Sequence, residues 1–153
     1  MSQERFGPLI FALTKAWRTT LDHRLAPLGL SEARWQCLLK LGRAGGPLPQ
    51  VELADRMGIT PPTLVKLLDR LEDDGLVLRQ PEPGDRRAKR VQLTEKASAL
   101  AQLVEREALR LREEVFAAIS EEELEAAEKV INKLLARLEE VNHEVPLTEV
   151  TPA

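Results

Sequence analysis

Cysteine is almost missing from this chain of 153 residues: Cys37 stands alone. A single thiol excludes an intramolecular disulfide and a cysteine-rich zinc site, and it suits a reducing compartment. His23 and His143 are too few and too far apart for a metal centre, so no metal and no cofactor is expected. Tyrosine is absent and only three Phe and two Trp are present, too few to stack the bases of single-stranded nucleic acid. No apolar run approaches the roughly 18 residues of a membrane span. The N-terminus lacks the basic region and apolar core of a secretion signal, so no membrane partner and a cytoplasmic location are expected. A nucleophile with its base, a carboxylate pair in a cleft and a phosphate loop are all missing, and the Gly-Pro-rich stretch before Pro49 has no lysine at phosphate-loop spacing. The expectation is that the protein is not an enzyme.

What is present is charge, unevenly spread. The net charge is only -3. From Arg79 to Arg90, however, five basic residues (Arg79, Arg86, Arg87, Lys89, Arg90) face two acidic ones (Glu82, Asp85), a local net of +3. Glu105 to Glu144 holds twelve acidic and six basic residues, a net of -6. A basic tip and an acidic tail on one chain make the overall sum a poor guide to its partners.

Apolar residues at Ile10, Leu13, Trp17, Leu21, Leu25 and Leu28 step by three or four and mark a first helix over about Leu9–Ala26, ended by Pro27 and Gly29. Ser31 is a candidate N-cap for a second helix to about Leu41, closed by Gly42, Gly45, Gly46 and Pro47. Gln50–Met57 reads as a short helix, and Gly58 supplies the permissive backbone of a sharp turn. Thr60 caps the next helix, with Pro61 in its first turn. On that helix Leu64, Leu67, Leu68 and Leu71 form one face, while Pro62, Thr63, Lys66, Asp69, Arg70 and Asp73 form another. After Gly75, two short strands are expected at Leu76–Gln80 and Lys89–Leu93, joined by an extended loop, Pro81–Ala88, rather than a two-residue turn. Thr94 then caps a long helix with apolar residues four and three apart, from Ala97 to Ala118. Ser120 and Glu123 form a capping box for a last helix striped by Leu124, Ala127, Ile131, Leu134, Leu138 and Val141. Seams this broad need partners beyond each other, and the first helix plus a second subunit are the economical ones.

A helix, a tight turn, a second helix and an arginine-rich hairpin is the order in which one helix enters a major groove and a wing reaches the flanking backbone or minor groove. The fold class expected is mainly α with a small β wing: a winged helix-turn-helix DNA-binding domain over residues 31–93, plus a helical dimerisation domain from residues 1–30 and 94–145. Residues 146–153 are expected to form a flexible tail.

Val51–Ile59, Leu71–Val77 and Asp85–Lys96 together resemble the MarR family of bacterial transcription regulators, and Ala16–Leu28 followed by Trp35 resembles its SlyA branch. The resemblance covers nearly the whole chain apart from its ends. It implies a homodimer with intertwined terminal helices, one winged helix per subunit, a pseudo-palindromic double-stranded DNA partner, and no settled sign of regulation, repressor or activator. It makes Pro62, Thr63 and Lys66 the major-groove contacts and Arg86 the minor-groove residue, with Arg87 paired to Asp69 to brace the wing. Thr60, Arg70, Arg79 and Lys89 complete the candidate DNA contacts. The alternative for Lys66 and Arg70 is a solvated helix face, but Lys66 shares its face with Thr63 beyond the helix-turn-helix glycine, which favours contact. The resemblance further implies a pocket for a small aromatic carboxylate such as salicylate, formed by Lys15, Arg18, Trp35 and Lys66. Trp17 and Trp35 also lie on apolar stripes where core packing is the commoner role, and Leu39 and Ala33 replace polar pocket residues of related sequences. Two alternatives stand beside this reading: a winged-helix or helical protein interaction module, and a redox-sensing regulator using Cys37, whose apolar neighbours Leu38, Leu39 and Leu41 favour an inert thiol.

Overall fold

The computed structural model describes residues 3–144. The expected flexible tail, 146–153, lies outside them. Six α-helices are found among these residues: α1 (Gln3–Leu25), α2 (Glu32–Ala44), α3 (Gln50–Met57), α4 (Pro61–Asp73), α5 (Glu95–Phe116) and α6 (Glu121–Glu144). Three strands accompany them: β1 (Leu48–Pro49), β2 (Val77–Glu82) and β3 (Asp85–Leu93). The mainly helical class with a small β wing is therefore observed. The chain groups into two compact units that divide within α5, between Leu111 and Arg112.

In the first unit the leucine stripes of the sequence meet. Leu25 of α1, Leu38 of α2, Leu53 of α3, and Leu64, Leu68 and Leu71 of α4 are fully buried together with Val77, Val91 and Val104. Each such side chain is worth about 1.5 to 3 kcal/mol of burial, and no polar or charged residue is buried among the described residues. Only the C-terminal half of the α1 stripe joins this core; Ile10 and Leu13 stay exposed. Gly42 lets α2 come close to α5, since a Cβ there would lie 3.3 Å from Ala101 Cβ.

Caps fix where the helices start. Thr60 Oγ1 accepts from the Thr63 amide at 3.4 Å at the start of α4. Ser120 and Glu123 exchange both hydrogen bonds of a capping box ahead of α6. Ser31 precedes α2 without a side-chain cap. Thr94 does two jobs: its hydroxyl accepts from the Ala97 amide at 3.2 Å and donates to the Gly75 carbonyl at 2.8 Å. The end of α4 and the beginning of α5 are thereby tied at one side chain.

Three features differ from the sequence expectation. Helix α1 starts at Gln3 and carries Pro8 inside it; a proline this close to a helix N-terminus removes only one intrahelical bond. A two-residue strand, β1, pairs with β3 through Leu48↔Val91 and Pro49↔Arg90, giving an antiparallel sheet of order β1-β3-β2. The hairpin is longer than expected: pairing continues through Pro81↔Lys89 to Glu82↔Asp85, so Pro83 and Gly84 make a two-residue turn where an extended loop was expected. Gly84 adopts φ 86°, a left-handed conformation that glycine takes without strain.

In the second unit α6 is solvent-facing along nearly its whole length, with Val130, Ile131, Leu134, Leu135, Leu138 and Val141 all exposed.

Candidate nucleic-acid interface

Helix α4 is divided into two faces. Leu64, Leu68 and Leu71 seat it in the core with Leu67 partly buried, while Pro62, Thr63, Lys66, Asp69 and Arg70 are exposed. Thr60 stands at its head, with its hydroxyl 2.9 Å from that of Thr63. Thr63, Lys66 and Arg70 follow at three- and four-residue steps, which puts their side chains along one side of the cylinder. Two prolines at the start of this helix leave no amide proton idle there, and Gly58, with φ 65°, makes the turn from α3.

The wing carries the other candidates. Between the Pro81↔Lys89 and Glu82↔Asp85 rungs, β3 has three residues, Arg86, Arg87 and Ala88, with no counterpart on β2. This is a bulge, and bulges re-aim side chains away from the regular pleat. Both arginines therefore sit on the irregular segment at the far end of the hairpin, exposed. Asp85 Oδ1 accepts from the Arg87 amide at 2.9 Å and shapes that segment. Neither guanidinium makes an ion pair among the described residues. Lys89 is exposed at the rung below, and Arg90 Nε lies 3.1 Å from Glu82 Oε2.

The brace between wing and helix is not the one expected. Asp69 pairs with Arg79, at 2.7 Å, and not with Arg87. Arg79 also reaches Glu72 through Nε at 2.9 Å and Nη2 at 2.5 Å, while its own amide donates to Glu72 Oε1 at 3.1 Å. The reason is distance along the hairpin. Arg79 opposes Val91, close to the α4–β2 turn, whereas Arg87 lies beyond the Pro81↔Lys89 rung, roughly 7 Å or more farther out. Arg79 is thus a clamp of the fold, with its side chain only 14% exposed. The hydrogen bonds from Arg79 hold the Glu72 carboxyl below its ordinary range, against the opposing pull of desolvation. Glu72 in turn raises the Arg79 guanidinium. Two carboxylates beside the exposed face of α4 thus share one guanidinium. In the sequence, the Glu72…Arg79 spacing across a glycine turn was the available sign.

The four residues expected to form an effector pocket are differently placed. Lys15 and Arg18 are exposed on α1, and Lys66 is exposed on α4. Trp35 belongs to the core, 3% exposed, with its indole N–H donating to Asp22 Oδ1 at 3.1 Å. Trp35 thus packs in the core of the first unit. A cavity of about 420 Å³ in the first unit is lined by none of the four. Cys37 is completely buried, and burial pushes its thiol up to about 12. At neutral pH it holds its proton and lacks the nucleophilic form that a peroxide sensor needs. Among the described residues no cluster of His, Cys, Asp and Glu could hold a metal ion, and no helix is long and apolar enough to cross a membrane.

Known proteins share this arrangement. A family model described as the MarR family matches residues 30–89, which run from the start of α2 to the bulge of the wing. The crystal structure of a transcriptional regulator designated PA3341 is 44% identical over 88% of this chain and 98% of its own, with a TM-score of 0.82. A cysteine-to-serine mutant of MarR from E. coli, solved in complex with operator DNA, is 26% identical over 86% of this chain and 94% of its own, with a TM-score of 0.74. A MarR-family regulator from Silicibacter pomeroyi is 27% identical over 97% of this chain and 96% of its own, with a TM-score of 0.73. The chain belongs to the MarR family of transcriptional regulators.

Proposed function

We propose that this chain is a sequence-specific reader of double-stranded DNA that works as a homodimer in the cytoplasm, with α4 in the major groove and Arg86 of the wing in the minor groove. The observation that carries the reading is the pair of arginines, free of ion pairs among the described residues, on the bulge at the wing tip. An arginine in a narrow A·T-rich minor groove gains from the enhanced negative potential there and reads groove width. Thr60, Pro62, Thr63, Lys66 and Arg70 are the groove contacts on α4, and Lys89 reaches phosphate. Arg87, whose guanidinium makes no ion pair among the described residues, contacts the phosphate backbone beside Arg86. The operator complex of the E. coli relative supports the same use of the fold.

Residues 31–93 form the reader in this proposal, and residues 1–30 with 94–145 form the dimer. The exposed apolar stripes of α1 and α6 support it, because an exposed leucine-rich stripe of this length signals a protein partner. Two readers in one dimer call for a pseudo-palindrome with half-sites about 10 bp apart. The likeness of Ala16–Leu28 and Trp35 supports a place in the SlyA branch.

Attenuation by a small aromatic carboxylate such as salicylate belongs to the same reading, through Lys66 with Lys15 and Arg18. A lysine paired with a carboxylate cannot at the same time pair with DNA, so the two ligands compete without a long-range pathway. Calorimetry with salicylate, showing neither heat nor a change in DNA affinity, would remove this part alone.

The decisive experiment is Arg86→Ala in a gel-shift titration on selected genomic sites. Binding is expected to weaken by about tenfold or more, the worth of one buried charged contact, while the dimer persists on size-exclusion chromatography. Undiminished binding would overturn the wing assignment.

A further inference from the structure

We propose that the cleft bounded by the end of α2, the end of β3 and the first turns of α5 is a binding site for a small uncharged molecule with an apolar body and an amide or lactam edge. Its volume of about 420 Å³ falls in the range of small-molecule pockets, which join an apolar lining to a few placed polar groups. The apolar part is contributed by Leu39, Leu41 and Ala101, all buried, and by Leu93. On one side Gly45 and Gly46 present backbone with no side chain to fill the space.

The polar part sets the ligand class. Gln92, Ser98 and Gln102 line the cleft, and none of their side chains is engaged in a hydrogen bond among the described residues. A primary amide offers a carbonyl and an NH₂ side by side, so its best complement is a ligand edge that also accepts and donates. Charge selects in the same direction. Arg43 and Glu105, the two charged residues of the lining, hold each other through Nε–Oε2 at 2.8 Å and Nη2–Oε1 at 3.2 Å. A carboxylate ligand would have to displace a fork-shaped pair already satisfied, and a cationic ligand would meet the same guanidinium. The site therefore differs in chemistry from the carboxylate pocket expected around Lys15, Arg18 and Lys66, and shares no residue with it.

The cleft also spans elements that matter. β3 is the strand that runs out to the wing, and α2 and α5 are the helices against which it ends. An occupant bridging them favours one arrangement of wing against helices, and any change in DNA affinity would follow from that preference. That consequence rests on the DNA-reading proposal; the binding itself does not.

The test uses the full chain, with benzamide and benzoate as matched probes, followed in amide ¹H–¹⁵N spectra without DNA. Benzamide is expected to shift the amides of Gly45, Gly46, Gln92 and Gln102, with benzoate weaker by about fivefold or more. Gln102→Leu, on an exposed helical position, is expected to weaken benzamide by about fivefold, the worth of one neutral hydrogen bond. Ser98→Phe is expected to block it by filling the mouth. Should Ser98→Phe fail to fold, Gln102→Leu decides. The proposal is overturned if benzamide at its solubility limit leaves those amides unmoved, if benzoate binds as tightly, or if Gln102→Leu binds benzamide as well as the parent does. A subsequent gel shift with benzamide present reads the regulatory consequence separately, so a ligand that binds without affecting DNA leaves the site standing.

Discussion

Arg79 and Arg87 lie on one hairpin and have opposite surroundings. Arg79 is held by two carboxylates, and Glu72 closes back on its amide, so the side chain and backbone of one residue are fixed by one partner. Arg87 has only its amide engaged, with Asp85. Arg79→Ala is expected to lower stability by about 1 to 2 kcal/mol, as loss of charge-assisted hydrogen bonds does, and Arg87→Ala to stay within about 0.5 kcal/mol of the parent; urea denaturation of the two variants checks both. The acid limb follows from the same contact. Because Glu72 has a folded-state pKa below its unfolded value, its contribution is fully present above the ordinary carboxylate range and is lost as pH falls through the folded value. The parent should lose wing order in that acidic window, and Glu72→Gln should flatten the loss. In the sequence only the Glu72…Arg79 spacing across the Gly75 turn set the two arginines apart, since their charge is the same. What separates them is how far along the hairpin each lies, a quantity set by pairing and not by residue type. Trp35 is similar: an apolar stripe position and a pocket wall look identical until the partner, Asp22, is known.

At the scale of elements, what could be read ahead was whatever depends on neighbours in sequence. The helix faces, the caps at Thr60, Thr94 and Ser120, and the turn at Gly58 are local, and each is found. The sheet was less legible because its prolines argue against strand. Pro49 and Pro81 are accommodated because β1 and β2 are the two edges of a sheet whose centre is β3, and edge strands tolerate a missing donor. Strand β1 has two residues and no pattern of its own, and it exists only through its pairing with β3. The tight turn that closes the hairpin depends on Gly84. Gly84→Ala forces a side chain into a left-handed conformation at about 1 to 2 kcal/mol. It is expected to speed hydrogen exchange at the amides from Arg86 to Lys89 while leaving those of α2 and α4 unchanged. Equal acceleration in α4 would mean that the wing and helix open as one unit.

For the whole molecule, polarity of charge and polarity of exposure coincide. The acidic stretch contains the helix whose leucines are bare, and the basic stretch contains the hairpin tip. A dimer built on α6 would cover Leu135 and Leu138, now 55% and 63% exposed. Leu138→Glu places a charge in that seam and is expected to raise the dimer dissociation constant by about a hundredfold or more, as desolvated charge at an apolar interface costs several kcal/mol. Sedimentation at micromolar concentration would then show monomer. A variant that remains dimeric would move the interface elsewhere. DNA affinity of the parent should also fall steeply with salt, since the contacts proposed for α4 and the wing displace counterions.

The hydroxyl of Thr94 spans from the carbonyl of Gly75 to the amide of Ala97. It works as a rivet between the end of α4 and the start of α5. Thr94→Val would remove both hydrogen bonds at once, leaving the Gly75 carbonyl and the Ala97 amide each without this side-chain partner.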